Sequence, residues 1–221
     1  MDLLARDYEL FDRTIHTFKQ LKESYTIEEV AQIKAQYKAQ WQKWKEMNLQ
    51  ASSQFPSQWQ MAKPKIESWT NGWNLRSHFW CAYRRVDRQK ENACLATLLN
   101  QKQFQIYLMY QHYKSEERQG SVSDFNRLLE VLEEWSKNIS IDEYYIWPQP
   151  EHELTDHLPL AVYLADKQKR LALKEAMEDK TFQIGKLYFY PSEYQNPEAL
   201  ILNAMKELMP LYGMLKKEGS S

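Results

Sequence analysis

The densest group of ionisable side chains in the sequence is Glu-His-Glu-Leu-Thr-Asp-His, at positions 151–157. Imidazole and carboxylate groups ligate zinc, iron or manganese, and they also act as general acids and bases. The candidate metal ligands are His152, Glu153, Asp156 and His157. Together with His78 or His112, they would suit a metal-assisted hydrolase. The spacing is not that of HExxH, because the last two histidines are five residues apart in a proline-bracketed segment. The alternative is a solvated loop whose polar side chains satisfy its turns.

A second group combines arginines with aromatic residues between positions 73 and 90. Alternation along a predicted strand puts Arg84 on the same face as His78 and Trp80. Arg85 lies next to it, on the opposite face. Arginine beside an aromatic ring can hold a phosphate or carboxylate while the ring stacks on a base or sugar. The pattern predicts a binding or regulatory protein for an anionic small molecule or a nucleic-acid segment. Alternatively, these arginines cap a strand end and pair with acidic loops.

A third candidate is Lys186, which lies in the middle of the strand-like run FQIGKLYFY. Its neighbours on the same strand face include Ile184 and Tyr188, so a lysine there is unusual. One interpretation is an edge strand that the lysine protects against pairing with another chain. The other is a lysine that points into a pocket and contributes to a ligand site.

The common nucleotide-binding and nucleophile motifs are missing from the sequence. It contains only five glycines and has no GxGxxG, Walker-type, GxSxG or CxxC pattern. These absences argue against the standard dinucleotide, ATP and cysteine-zinc sites. The sequence therefore predicts no particular cofactor, and it does not decide whether the protein is an enzyme.

Composition sets limits on the partners and the compartment. The chain has 221 residues, 43% of them hydrophobic and 14% aromatic, with a formal net charge of −1. A charge so close to zero gives no general attraction to nucleic acid, so a nucleic-acid partner is not favoured. Cys81 and Cys94 lie in apolar stretches and are predicted to be core residues in a reducing compartment. The expected location is the cytoplasm, without a membrane partner, because no apolar run reaches about eighteen residues.

The order of predicted elements gives the fold class. Residues 1–48 are predicted to form a helical hairpin, with one helix over 2–23 and another starting at a Thr26–Glu29 capping box. This hairpin covers the sheet or mediates homo-oligomerisation. Residues 50–73 form a long loop that is a candidate lid or pocket wall. The predicted strands are 78–84, 94–99, 104–113, 143–147, 182–190 and, less regularly, 160–164.

Further helices are predicted over 121–137 and 166–179, and from Asn196 onward. Helices and strands do not alternate as regular βαβ units, which argues against a doubly wound fold. The sequence therefore predicts a single α+β domain over 1–221, with a mainly antiparallel sheet of about five or six strands packed with helices. The sheet-containing core is placed at 73–218, and the Gly-Ser-Ser tail at 219–221 is left out of it.

Two segments resemble landmarks of an uncharacterised bacterial protein family of similar size. They are WTNGWNLRSHFW at 69–80 and FQIGKLYFYP at 182–191. The resemblance spans nearly the whole chain, and the family carries the name glucose-6-phosphate 1-dehydrogenase, which implies a sugar-phosphate dehydrogenase. Enzymes of that name are much longer chains, with a glycine-rich nucleotide fingerprint and an Arg-Ile-Asp-His-Tyr motif. This sequence has neither motif, so the dehydrogenase activity rests on the family name alone.

Overall fold

The computed structural model describes residues 1–215, which form eight α-helices and eleven strands. The helices are α1 (Ala5–Glu9), α2 (Phe18–Ser24), α3 (Ile27–Ser53), α4 (Val122–Asn126), α5 (Leu132–Ser136), α6 (Leu160–Ala165), α7 (Lys167–Ala176) and α8 (Pro197–Met214). The strands are β1 (Asp2–Leu3), β2 (Lys65–Ile66), β3 (Thr70–Asn71), β4 (Asn74–Leu75), β5 (His78–Tyr83), β6 (Ala93–Asn100), β7 (Gln103–Tyr110), β8 (Tyr144–Pro148), β9 (Leu158–Pro159), β10 (Phe182–Phe189) and β11 (Tyr194–Gln195).

A seven-stranded antiparallel sheet organises the molecule, in the order β2-β5-β6-β7-β10-β8-β9. The predicted α+β class with a mainly antiparallel sheet is confirmed. The sheet exceeds the expected five or six strands because two-residue strands, β2 and β9, add to its two edges. Such short pairings leave no periodic signal in the sequence. Two separate pairs, β1-β11 and β3-β4, lie outside the main sheet.

Helices cover one face of the sheet and form the main core with it. Helix α3 packs against α8 and β5, and α8 packs against β6, β7 and β10. Along α3 the buried apolar side chains are three, four or seven residues apart, as expected for one helix face against a core. They are Val30, Ile33, Tyr37, Trp44, Met47 and Ala51. Helix α3 thus forms, with α8, a layer over one face of the sheet.

Local sequence signals set the starts of several elements as predicted. The Glu29 amide donates to Thr26 Oγ1 at 3.2 Å and the Thr26 amide to Glu29 Oε2 at 2.8 Å, the two bonds of a capping box. Asp166 accepts from the amide of Gln168 at 2.7 Å and so begins α7. Pro197 opens α8, and this helix continues past Pro210 to Met214.

The first predicted helix, over 2–23, is wrong as a continuous element. The segment instead forms β1, α1, an irregular turn and α2. Tertiary pairing explains the interruption, because Thr17 bridges to Asn74 and the Leu75 amide donates to the His16 carbonyl at 2.8 Å. These backbone groups are satisfied by β4 and are unavailable to a helix. The helical hairpin of 1–48 is therefore two short helices followed by the long α3, which extends to Ser53.

Two further segments differ from their predicted structure. The apolar run 160–164 is helical, not a strand: α6 follows Pro159, and Leu160 and Tyr163 are buried one helical turn apart. The predicted helix 121–137 is divided into α4, a 3-10 turn at 127–130 and α5. The last residues of the predicted core, 216–218, and the tail at 219–221 lie outside the described residues. Among residues 1–215, no helix is both long enough and apolar enough to span a membrane.

Candidate functional site

The sheet face opposite α3 and α8 holds a cavity of about 480 Å³. Side chains alternate along each strand, so residues on this face are next to core residues in sequence but point away from the core. They form a small apolar cluster, separate from the main core, at the floor of the cavity. The floor residues are Trp80, Leu98, Tyr107, Met109 and Trp147.

The aromatic part of this floor is fixed by its own contacts. Trp80 Nε1 donates to the Tyr107 hydroxyl at 3.1 Å, and the Tyr107 and Trp147 ring centroids are 5.7 Å apart at 41°. His157 stacks flat on Trp147, with ring centroids 4.2 Å apart and an interplanar angle of 8°. The rings therefore present a rigid surface with defined faces, as a binding site for a flat or apolar ligand face requires.

Loop segments form the walls of the cavity. Glu67 and Asn71 come from the segment 50–73, which was predicted to be a lid or pocket wall, and the 149–157 segment contributes Glu151 and Glu153. Arg76 lies between them in the wall and pairs with Glu67 at 2.7 Å. The 50–73 segment is not a structureless loop, because it contains the end of α3, a 3-10 turn and two short strands.

Two carboxylates of the cavity wall each bind a histidine. Glu153 Oε2 lies 3.2 Å from His78 Nδ1, and Glu151 Oε2 lies 2.9 Å from His157 Nδ1. Burial, and then the nearby Lys102, lower the pKa of His157 to about 4, so this imidazole is neutral near pH 7. The Glu151–His157 contact is therefore a hydrogen bond from a neutral ring and not an ion pair.

The two carboxylates differ in the direction of their pKa shifts. Burial raises the pKa of Glu151. Burial acts in the same direction on Glu153, but its hydrogen bond from His78 and the charges of nearby histidines lower the pKa of Glu153 below its ordinary value. One cavity thus holds one carboxyl group biased toward its protonated form and one biased toward its ionised form.

The four candidate metal ligands do not converge on one point. Asp156 pairs with Lys102 at 2.5 Å, and His152 Nδ1 accepts from the Leu154 amide at 3.1 Å. Glu153 and His157 bind the partners given above. Within residues 1–215, no group of three or more His, Cys, Asp or Glu side chains is arranged to hold a metal ion. His112 is also separate, 3.1 Å from the Thr181 hydroxyl.

The candidate ligand-binding residues divide between the cavity and other parts of the fold. His78 and Trp80 line the cavity, whereas Arg84 and Arg85 do not. Arg84 is buried and donates to the Glu91 carbonyl at 3.0 Å and to Gln111 Oε1 at 2.9 Å. Arg85 pairs with Asp87 at 3.3 Å, as the strand-end alternative for the arginines predicted.

Lys186 lies on the opposite sheet face from the cavity. Its strand, β10, is between β7 and β8, so the edge-strand interpretation is wrong. Its ammonium group is 3.0 Å from Glu207 on α8 and 5.3 Å from the Tyr144 ring centroid. Lys186 is therefore a buried link between sheet and helix, because its position in β10 points it to the side that α8 covers.

Four glutamines of the cavity were missed by sequence reasoning. Gln105, Gln111, Gln149 and Gln183 all line it. Gln105 and Gln183 lie inside apolar strands on the face shared with Tyr107 and Leu187, where an amide is costly to bury without a partner. That alternation was visible in the sequence and was the one signal that could have identified them.

The charges of the lining are mostly negative. Among the described residues, the cavity is lined by three carboxylates, from Glu67, Glu151 and Glu153, against one arginine and one histidine. The arginine is already paired with Glu67. An anion would therefore meet more repulsion than attraction in this cavity.

Comparison with known proteins places the chain in a family. A protein-family model matches residues 3–215. An uncharacterised protein of the bacterium Haemophilus influenzae is 30% identical over 213 residues, which cover 96% of this chain and 97% of that protein. These matches show the uncharacterised bacterial family that the two segments resemble, and the dehydrogenase activity stays an expectation from the family name. The chain belongs to the protein family whose model spans residues 3–215, together with this Haemophilus influenzae relative.

Proposed function

We propose that the protein binds a small polar molecule in the cavity on the open sheet face. The observation that carries the proposal is the combination of three aromatic rings on the floor with polar side chains on the walls. A volume of about 480 Å³ suits a small ligand. The floor supplies apolar contact and the walls supply orientation, which is the usual division of work in a small-molecule site.

The ligand is neutral or cationic in this proposal, and not the anion expected from the arginine-rich segment. Arg84 and Arg85 bind other partners, and Arg76 is neutralised by Glu67. A phosphate or carboxylate in the cavity would lie near Glu151 and Glu153 without an unpaired arginine to hold it. The same argument speaks against a nucleic-acid segment, whose backbone needs free cationic side chains.

Filling the cavity tests the proposal. Ligand-observed NMR of the purified protein with a library of small polar metabolites should give hits for the wild type. These hits should disappear in Leu98→Trp, which places an indole in the cavity. Leu171→Trp adds the same ring on the exposed surface of α7 and should keep them. Hits that persist equally in both variants, or the absence of any hit with the wild type, would contradict a ligand site here.

A second candidate function is acid–base hydrolysis, favoured by the opposite pKa directions of Glu151 and Glu153. A carboxyl group with a raised pKa and one with a lowered pKa are the pair that such chemistry uses. Glu153 would accept a proton from the attacking water, and Glu151 would donate one to the leaving oxygen. No metal enters this scheme.

Hydrolysis of methyl glycosides and alkyl esters, whose leaving oxygen must be protonated, provides the test. Glu151→Gln and Glu153→Gln should each reduce the rate at least about a hundredfold, the usual contribution of one acid–base group. The rate should fall both below the pKa of Glu153 and above that of Glu151. Turnover that survives either substitution would rule out this pair as the catalytic groups.

A further inference from the structure

We infer that the ligand of this cavity is a neutral polyhydroxylated molecule of the saccharide or sugar-alcohol class. The inference deepens the proposed small-molecule function and rests on it. The argument comes from the directions in which the cavity amides donate and accept hydrogen bonds, and partners behind the cavity fix these directions for Gln111 and Gln105.

Arg84 orients the first amide. A guanidinium group only donates, so the atom of Gln111 that it contacts at 2.9 Å is the carbonyl oxygen. The NH₂ group of Gln111 is then left for the cavity as a donor. Arg84, predicted as a ligand-binding residue, thus acts behind the site as a positioning residue.

The backbone of the 149–157 segment orients the second amide. The Thr155 carbonyl only accepts, so Gln103 contacts it through Nε2, at 3.0 Å. The Gln103 oxygen is then the acceptor for Gln105 Nε2, at 2.5 Å. These two hydrogen bonds leave the carbonyl oxygen of Gln105 as an acceptor in the cavity. Gln105 lies on β7, and the donor Gln111 follows the last residue of that strand.

A third pair adds one group of each kind. Gln183 donates through Nε2 to the carbonyl oxygen of Gln149, and both residues line the cavity. Gln149 therefore retains its NH₂ donors, and Gln183 retains its oxygen as an acceptor. The lining therefore holds both donors and acceptors, and the carboxylates of Glu151 and Glu153 add further acceptors.

A hydroxyl group matches such walls because it donates and accepts at once. A ligand with several hydroxyls satisfies neighbouring donors and acceptors together, while the C–H face of its ring lies on Trp80 or Trp147. A simple cation would offer no acceptor to the partly buried donors of Gln111 and Gln149, whereas a hydroxyl oxygen would. A site for a planar nucleobase is favoured by two rings that face each other across the base. The rings of this cavity all belong to one floor.

Saturation-transfer NMR on the full chain tests the inference. The probes are neutral mono- and disaccharides and sugar alcohols, compared with tetramethylammonium and with free nucleobases. We expect at least one hydroxylated probe to receive saturation on its C–H protons. This probe should also displace the ligands that bind the wild type but not the Leu98→Trp variant. Its affinity should fall at least tenfold in Gln111→Glu, where Arg84 pairs with a carboxylate and the donor is lost.

Two controls make the outcome decisive. Gln50→Glu adds the same charge at an exposed position of α3 and should leave binding unchanged, and Gln111→Leu removes the donor without adding charge. Both Gln111 variants should lose the hydroxylated probe, and a cooperative thermal transition of each variant confirms that it is folded at the temperature of the measurement. Selective binding of tetramethylammonium or a nucleobase would overturn the saccharide inference but keep the proposed function. If no probe binds in the cavity, both are overturned.

Discussion

At the scale of single residues, the cavity depends on side chains held by partners that lie behind them. His157 is the clearest example, because its side chain is completely buried between Trp147 and Glu151. A neutral imidazole there can stack on the indole and donate to the carboxyl group. A charged one would pay a desolvation penalty, since Lys102 adds a second positive charge nearby.

This burial predicts a stability change with pH. The pKa of His157 is lowered from 6.5 to about 4 in the folded protein, so the unfolded chain binds a proton first as the pH falls. The contribution of His157 is complete above pH 6.5 and declines toward pH 4, by about 3 kcal/mol at most. His157→Phe keeps a ring on Trp147 but cannot titrate. Urea unfolding at pH 7 and pH 4.5 should therefore show a smaller loss for the variant than for wild type.

Because Glu151 accepts a hydrogen bond from His157, the two proteins are also compared in a Glu151→Gln background, where the difference between them isolates the histidine. Equal pH dependence for wild type and His157→Phe would contradict the prediction. It would indicate that the 149–157 segment opens and lets water reach the imidazole before the protein unfolds.

A second prediction concerns Asn48, which joins α3 to the sheet. Its Oδ1 accepts from the Tyr83 hydroxyl at 2.5 Å and from the Thr97 hydroxyl at 2.6 Å. Its Nδ2 donates to the Trp44 carbonyl at 2.7 Å. Asn48→Ala leaves two buried hydroxyls without an acceptor, which should cost about 2–4 kcal/mol in the free energy of unfolding.

Asn138 provides a matched control for this change, since its Nδ2 also donates to a carbonyl four residues earlier, but at the surface. Asn138→Ala should change the free energy of unfolding by less than about 0.5 kcal/mol. Chemical denaturation of both variants gives the comparison. Similar losses would mean that the two hydroxyls find other acceptors.

Sequence reasoning identified residue types better than their grouping. His78, Trp80 and Glu153 were candidates for two different sites, and the fold brings them into one cavity. Arg84 and Lys186 were candidates for the same kind of site, and the fold places them on opposite faces of the sheet. The alternation within each strand was readable, but the face that the helices cover depends on long-range packing that no local pattern encodes.

At the scale of elements, the same distinction holds. Elements with strong local signals, such as α3 with its capping box and the strands β6, β7 and β10, agree with the prediction. Elements whose local signal is overridden by contacts with distant residues do not, as the interrupted first helix shows. Gly185 in the middle of β10 belongs to the second kind, because the sequence marks it as a strand glycine without giving its reason.

The reason is the close approach of β10 to β7. A Cβ at Gly185 would lie 2.2 Å from the Ile106 carbonyl oxygen and 2.4 Å from Tyr107 Cβ. Gly185→Ala must separate two central strands beside a floor residue of the cavity, so we expect a loss above about 3 kcal/mol or failure to fold. Gly213→Ala, in α8 with no atom within 4 Å of its Cβ, should be neutral or stabilising by up to about 1 kcal/mol. Circular dichroism melting curves of the pair test this, and a neutral Gly185→Ala would contradict the close packing.

At the scale of the whole molecule, the two faces of one sheet have different surroundings. One face is covered by α3 and α8 and contributes to the main core. The other has a thin apolar floor beneath a cavity with polar walls. The proposed function requires this asymmetry, because a face that packs helices cannot also receive a ligand.

Neighbouring residues of β7 test the asymmetry directly. Leu108 is 0% exposed in the main core, and Met109 is 7% exposed on the cavity floor. Leu108→Ala creates a new void among packed side chains and should lower the free energy of unfolding by about 2–5 kcal/mol. Met109→Ala only enlarges an existing cavity, so we expect a loss of about half that size or less, measured by urea unfolding. Met109→Ala should instead weaken the binding of any ligand that Leu98→Trp excludes. Leu108→Ala should leave the affinity for that ligand unchanged. Equal destabilisation with equal affinities would mean that both faces serve the core alone.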